Sequence, residues 1–188
     1  MKARSEDFLA RSDAVDHFAE QSIDLAFIDG LHLFEAALVD FANVERLASP
    51  TSVVVLDDML PHSPDEAARN RQTKMWTGDV FKLAFAFERY RPDLVSISVD
   101  TEPTGVMLVL ALDPSNRLLE ERHAELVGEF VRDDPQDVPV NVLDRTGAAD
   151  PEELLRAGFW PELVAVRDRD DPPATPEDVR RLFRTDRP

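Results

Sequence analysis

Two short stretches hold the residues best able to do chemistry. "IDLAFIDGLH" (23–32) closes an apolar run on Asp29 and Gly30 and places His32 two residues further on. "SVVVLDDML" (52–60) closes a second apolar run on Asp57 and Asp58. In an open parallel α/β sheet, ligands bind outside the carboxyl ends of the strands, and neighbouring strands lie about 4.8 Å apart. Asp29, Asp57 and Asp58 can therefore converge on one hard divalent cation, and Mg2+ suits oxygen donors in this number. Gly30 would let the chain turn sharply and approach a ligand closely. His32, one step into the loop, is placed to act as a general base or a substrate contact. The same acids could equally cap a helix or sit in a solvated loop, and the histidine could be a capping residue.

These side chains need elements to position them. Residues 5–20 carry apolar side chains at helical spacing, with Ser5 at the N-cap position, and Leu25 to Ile28 form a short unbroken apolar run typical of a buried strand. Leu33, Ala37, Leu38, Phe41, Val44 and Leu47 make one helical stripe over 33–48, and Val53 to Leu56 form a second buried strand. Strand, helix, strand in this order is a βαβ unit with parallel strands. A long polar loop over 59–78 leads to a helix over 78–90, with Trp76 expected to cap it rather than to line a pocket. The runs 94–100 and 105–113 are separated by "TEPT", too short for a parallel crossover, so they form an antiparallel hairpin. A helix over 115–131 completes the unit. His17, His62 and His123 take no role in this scheme.

The totals bound the function. The chain has 188 residues, 43% of them apolar, and a net charge of -17. That is enough to bury a core, and a surface so acidic repels phosphate backbones and anionic membranes. No partnership with nucleic acid or membrane is expected. With no cysteine there is neither a disulfide framework nor a thiolate zinc site. No signal peptide and no apolar run of about 20 residues occur, so a soluble, cytoplasmic protein is expected. Beyond Arg132 the composition shifts: eight of the fourteen prolines lie in 132–188, among alternating acids and arginines. The domain reading is a compact unit over 1–131 and an acidic, proline-rich extension over 132–188. The extension is expected to be loosely ordered, with short helices near 151–157 and 176–184.

The stretches "DLAFIDGLHLFEAALVDF", "VVVLDD" and "TGDVFKL", followed by the hairpin, resemble the C-terminal half of a class I S-adenosylmethionine-dependent methyltransferase. The subgroup they resemble most contains the macrocin-type, metal-dependent O-methyltransferases. There the first matched strand ends in an Asp-Gly-x-His motif followed by an aromatic and an acid, here Phe34 and Glu35, and the second ends in a carboxylate pair. The resemblance covers roughly residues 5–113. It implies an α/β, Rossmann-like fold whose mixed sheet ends in an antiparallel hairpin. It also implies the cofactors S-adenosyl-L-methionine and Mg2+, with the metal held by Asp29, Asp57 and Asp58. Asp29 or His32 would take a proton from a small-molecule hydroxyl acceptor, and Ser5, Asp29 and Gly30 would contact the cofactor.

The sequence departs from the family at two places. Ser49-Pro50-Thr51-Ser52 replaces a Pro-Gly-Gly turn, and no G-x-G occurs anywhere. The first strand here matches the fourth of the family's seven, so the resemblance implies an N-terminally truncated fold. Activity would then need residues supplied from elsewhere. The alternative is a catalytically inactive Rossmann-like module acting by protein association, and a magnesium-dependent hydrolase is a distant third. In the truncated arrangement the strand "IDLAFID" would be an open edge, so self-association through that edge is expected.

Overall fold

The protein is described by a computed structural model covering residues 22–169 and 171–184. The helix expected over 5–20, including Ser5, lies outside the described residues. From residue 22 the chain runs β1 (Ile23–Ile28), α1 (Phe34–Leu47), β2 (Ala48–Leu56), α2 (Lys82–Tyr90), β3 (Val95–Val99) and β4 (Val106–Leu110). Six further helices follow: α3 (Leu118–Glu121), α4 (His123–Phe130), α5 (Val140–Leu143), α6 (Pro151–Leu155), α7 (Phe159–Arg167) and α8 (Pro176–Leu182).

The four strands form one mixed sheet in the order β1-β2-β4-β3. β1 and β2 are parallel, as the βαβ reading requires, while β4 runs antiparallel to both neighbours. β2 begins at Ala48, five residues before the expected start, and its ladder with β1 is irregular between Ile23 and Leu25. Hydroxyls replace the missing ladder bonds there. Ser52 Oγ accepts from the Ser49 N–H at 2.7 Å and donates to the Ile23 carbonyl.

Pleating sends alternate residues to opposite faces of the sheet. One face receives α1, whose Phe34, Leu38, Phe41 and Val44 recur at helical spacing and are buried. Phe41 meets Phe87 of α2 at 4.6 Å between ring centroids, and Phe34 meets Phe130 of α4 at 5.2 Å. Ile28, Val54, Leu56, Met107 and Val109 complete this core from the strands.

A buried ion cluster pins its far end. Arg91, just past α2, forks onto Glu45 of α1 with two bonds of 2.7 Å and reaches Asp93 at 2.9 Å. Glu45 also accepts the Asp113 N–H at 3.2 Å.

The opposite face is covered by the segment beyond 132, which is a packed element and not the loosely ordered tail expected from its prolines. Phe159 and Leu163 of α7 and Val179 of α8 are buried against Leu108, Leu110, Val55 and Ile97. Pro151 and Pro176 each sit in the first turn of a helix, where a missing N–H leaves no bond unmade. Asp150 accepts the Glu152 and Glu153 N–H groups, and Thr175 with Asp178 forms a capping box. Ala149 also bridges to Val99 along the outer edge of β3.

This second layer stops short of β1. Leu25 and Phe27 pair with Val53 and Val55 and so share the face that α7 and α8 cover, yet they are 65% and 60% exposed. Among the described residues β1 is an edge strand, open along one side. No helix among the described residues is long and apolar enough to cross a membrane.

Candidate functional site

β1 and β2 end side by side, and the chain leaving each bends into a left-handed residue. His32 has φ 55° and Asp58 φ 62°. Gly30 is not in that region, so the turn expected of the glycine is made by the histidine two positions later; a Cβ at Gly30 would meet only Asp40 Oδ2 at 3.4 Å. Non-glycine residues adopt this conformation rarely, and when they do it is often where a side chain must be aimed.

The aim is mutual. His32 Nδ1 lies 2.8 Å from Asp58 Oδ2 and 2.8 Å from the Trp76 carbonyl oxygen, and Nε2 lies 3.5 Å from Asp29 Oδ1. Two acceptors at Nδ1 place a proton there in either protonation state, and Nε2, bare in the neutral ring and protonated in the cation, faces Asp29. One donor atom each from Asp29, His32 and Asp58 fall within 4.8 Å of one another, the spacing of ligands around a single cation. A recess of about 10 Å³ lined by Asp29, His32, Asp57, Asp58 and Leu83 gives room for one water-sized occupant.

Asp57, expected as a third ligand, is turned differently. Its Oδ1 accepts the Asp58 N–H at 2.9 Å, which holds it beside the trio rather than within it. Glu35 is also outside the trio and pairs with Arg69 at 2.6 Å.

Charge crowding is visible in the titration of these groups. The Asp58 carboxylate holds the His32 imidazole above its ordinary value against the opposing effect of burial, and the Trp76 carbonyl and the Asp29 charge push the same way. Burial raises the Asp57 carboxyl; the Asp58 N–H opposes this, and the charges of Asp58 and Asp29 add to it. Among the described residues no lysine or arginine pairs with Asp29, Asp57 or Asp58.

The loop over 59–81 builds the rest of the site. Trp76 stacks on His32, with ring centroids 4.9 Å apart and planes 3° from parallel, and its Nε1 donates to the Ala68 carbonyl at 2.5 Å. It therefore supports the imidazole and lines a cleft instead of capping α2. Behind it, Gly78 has φ 61°, and a Cβ there would fall 1.7 Å from the His32 carbonyl oxygen. Asp79, fully buried, accepts the Phe34 N–H at 2.8 Å and so caps α1 from 45 residues away. Arg69 joins Asp79 at 2.8 Å to Glu35. Sequence reading missed this clasp, although "TGDV" carried a signal: a glycine and an acid directly ahead of a helix.

A cleft of about 560 Å³ opens over the cluster. It is walled by residues 71, 74–76 and 101–104, with Phe27 and Val106 supplying apolar surface.

Residues 1–59 match the family model described as "Methyltransferase domain". The match spans under a third of the chain and contains β1, α1, β2 and all four of Asp29, His32, Asp57 and Asp58. With the four-stranded mixed sheet it supports a Rossmann-like α/β fold. No curated protein and no solved structure matches the chain.

Proposed function

We propose that the chain carries the acceptor and metal half of an S-adenosylmethionine-dependent O-methyltransferase of the macrocin-type subgroup, acting on a small-molecule hydroxyl. The observation that carries this reading is the Asp29–His32–Asp58 trio, poor in cationic partners, at adjacent strand ends inside the stretch that matches the methyltransferase family.

The donor set fits a hard divalent cation: Asp29 and Asp58 supply oxygens, with Asp57 adjoining, and the recess beneath holds one small occupant. When bound, Mg2+ supplies Lewis acidity and S-adenosylmethionine supplies the methyl group. The chain's own residues do the rest. With the cation on the two carboxylates and Nε2 left off it, His32, its Nδ1 engaged by Asp58 and Trp76, would receive the hydroxyl proton on Nε2. Trp76 holds the imidazole plane, and Phe27, Trp76 and Val106 give part of the cleft an apolar lining. The sequence has no glycine-rich turn for the methionine end of the cofactor, and of the described residues the resemblance assigns only Asp29 and Gly30 to it. The isolated chain is accordingly expected to bind S-adenosylmethionine weakly.

Calorimetric titration of Mg2+ tests the reading. One-site binding that disappears in Asp29→Asn with Asp58→Asn is the expected result, and unchanged binding in that double variant would overturn the metal site.

A second reading, an inactive module acting by association, is favoured by the exposed Leu25 and Phe27 on a strand that is an open edge among the described residues. The partner it commits to is a second copy of the chain, because a two-fold contact needs only one self-complementary surface. Light scattering on a dilution series distinguishes it: a Phe27→Lys variant should dissociate an oligomer, and a concentrated wild-type monomer would sink this reading.

A further inference from the structure

We infer that the cleft above the aspartate cluster recognises an acceptor bearing a carboxylate as well as a hydroxyl, and that Arg71 and Lys74 are the residues that read it. This rests on the acceptor reading of the cleft proposed above.

The argument begins with charge. Acids outnumber lysines and arginines 38 to 21 in this chain, so an arginine or lysine readily finds a carboxylate. Many do: Arg69 meets Glu35 and Asp79, Arg91 meets Glu45 and Asp93, and Arg145 meets Asp100. Arg71 and Lys74 line the cleft and have no carboxylate partner among the described residues. Both are exposed, so their charge faces the open cleft.

Arg71 is also held in place. Its Nε donates to the Thr73 carbonyl at 3.3 Å and its Nη2 to the Lys74 carbonyl at 2.8 Å, so the guanidinium folds back over its own turn. Carbonyls orient the group without neutralising it, and Nη1 makes no bond within the described residues. A fork pre-set in this way loses less freedom on binding a planar anion than a free side chain does. Lys74, exposed on the same turn, adds a second positive charge to the cleft.

The same turn carries Trp76, the residue stacked on His32. Cationic subsite and imidazole are thereby fixed to one loop segment, which sets the spacing between an acceptor's anionic end and its reacting hydroxyl. Trp76, Phe27 and Val106 offer apolar walls to the body of such a molecule.

The choice of carboxylate over phosphate follows from the acids in the cleft. Asp29, Asp57, Asp58 and Glu102 all line it, against two cations. A dianionic phosphate ester would meet about twice the repulsion that a monoanion meets, and the planar carboxylate matches the guanidinium fork.

Three matched probes test this on the full chain with Mg2+ present and no methyl donor: 4-hydroxybenzoate, 4-hydroxybenzamide and 4-hydroxyphenyl phosphate, each titrated by calorimetry or by NMR. The benzoate should bind about tenfold more tightly than the neutral amide, corresponding to ~1.4 kcal/mol, and more tightly than the phosphate. Arg71→Gln with Lys74→Gln should erase the preference over the amide while leaving the Mg2+ titration and the melting curve intact. If that pair fails to fold, the single variant Arg71→Gln should still reduce the preference. Equal affinities for benzoate and amide, a preference that survives the substitutions, or no detectable benzoate binding would each overturn the subsite, and tighter binding of the phosphate would overturn the choice of carboxylate. Because the readout is binding without methyl transfer, the subsite can fail while the metal site stands. A retained benzoate preference in a protein that binds no Mg2+ would instead sustain the subsite and sink the magnesium-dependent part of the proposed function.

Discussion

Two groups of acids flank the same sheet, and they differ in what faces them. Glu45 is 2% exposed and is met by a two-bond fork from Arg91, itself 1% exposed, with Asp93 and the Asp113 N–H filling the remaining positions. Asp29, Asp57 and Asp58 have among the described residues one imidazole and one backbone N–H between them. Buried charge is stable only when it is paired and hydrogen-bonded. The first group meets that condition within the chain. The second does so only in part: Asp58 is buried and meets His32, Asp57 is half-buried, and Asp29 stands exposed to water.

The sharpest way to break the contrast is to remove a partner from the complete group. Arg91→Met leaves Glu45 buried without a cation and should destabilise the fold by about 3–5 kcal/mol, measured by urea denaturation. Adding Glu45→Leu should recover part of that loss, since the double change removes both charges. A loss below about 1 kcal/mol would mean that the two groups do not differ in kind.

The open group should respond in the opposite way. Without metal, Asp29→Asn with Asp58→Asn should cost no more than about 1–2 kcal/mol, because each amide keeps an oxygen for His32. With Mg2+ at a hundredfold its dissociation constant, the wild type should gain about 2.7 kcal/mol and the double variant nothing.

Titration gives a smaller effect whose sign separates the two kinds of acid. Burial alone would raise Glu35, but the Arg69 fork outweighs it and holds the carboxyl below its ordinary value. A depressed carboxylate adds stability above its unfolded pKa, about 4.3 for Glu, and loses it as pH falls through the lower folded value. Asp57 is raised, so its ionisation weighs against the metal-free fold as pH climbs from about 3.9 through the higher folded value. Glu35→Gln should therefore destabilise at pH 7 and Asp57→Asn stabilise, with both effects fading near pH 3. Equal signs at pH 7 would erase the distinction.

A small change is expected from Trp76→Phe, which keeps an aromatic face for His32 and loses the bond to the Ala68 carbonyl. About 1 kcal/mol of stability should go with it, as read from thermal melts.

Much of this was legible in the sequence where local pattern and tertiary role coincide. The stripe of Leu33, Ala37, Leu38, Phe41, Val44 and Leu47 pointed to α1, and the four-residue "TEPT" link forced β3 and β4 into a hairpin. The acids at the ends of β1 and β2 were readable because parallel strands must bring their carboxyl ends together. Three things were not. The single helix expected over 115–131 breaks at Arg122 into α3 and α4. The prolines of the C-terminal segment suggested loose chain, since composition does not say whether a proline sits at a helix start or within a loop, and α7 was not anticipated at all. The exchange of Asp57 for His32 in the trio turns on two left-handed residues, and a backbone choice of that kind leaves no periodic trace.

The bond from the Phe34 N–H to Asp79 has a consequence for how the protein can be watched. The first amides of a helix ordinarily exchange with solvent quickly, because no carbonyl of their own helix reaches them. Here the Phe34 amide is held by a fully buried carboxylate from a segment 45 residues later in the chain. Its exchange reports the opening of the 59–81 loop from the strand ends and not the fraying of α1. Slow exchange at Phe34 beside fast exchange at Glu35 would show the two halves of the site closed upon one another, one residue at a time and without any ligand.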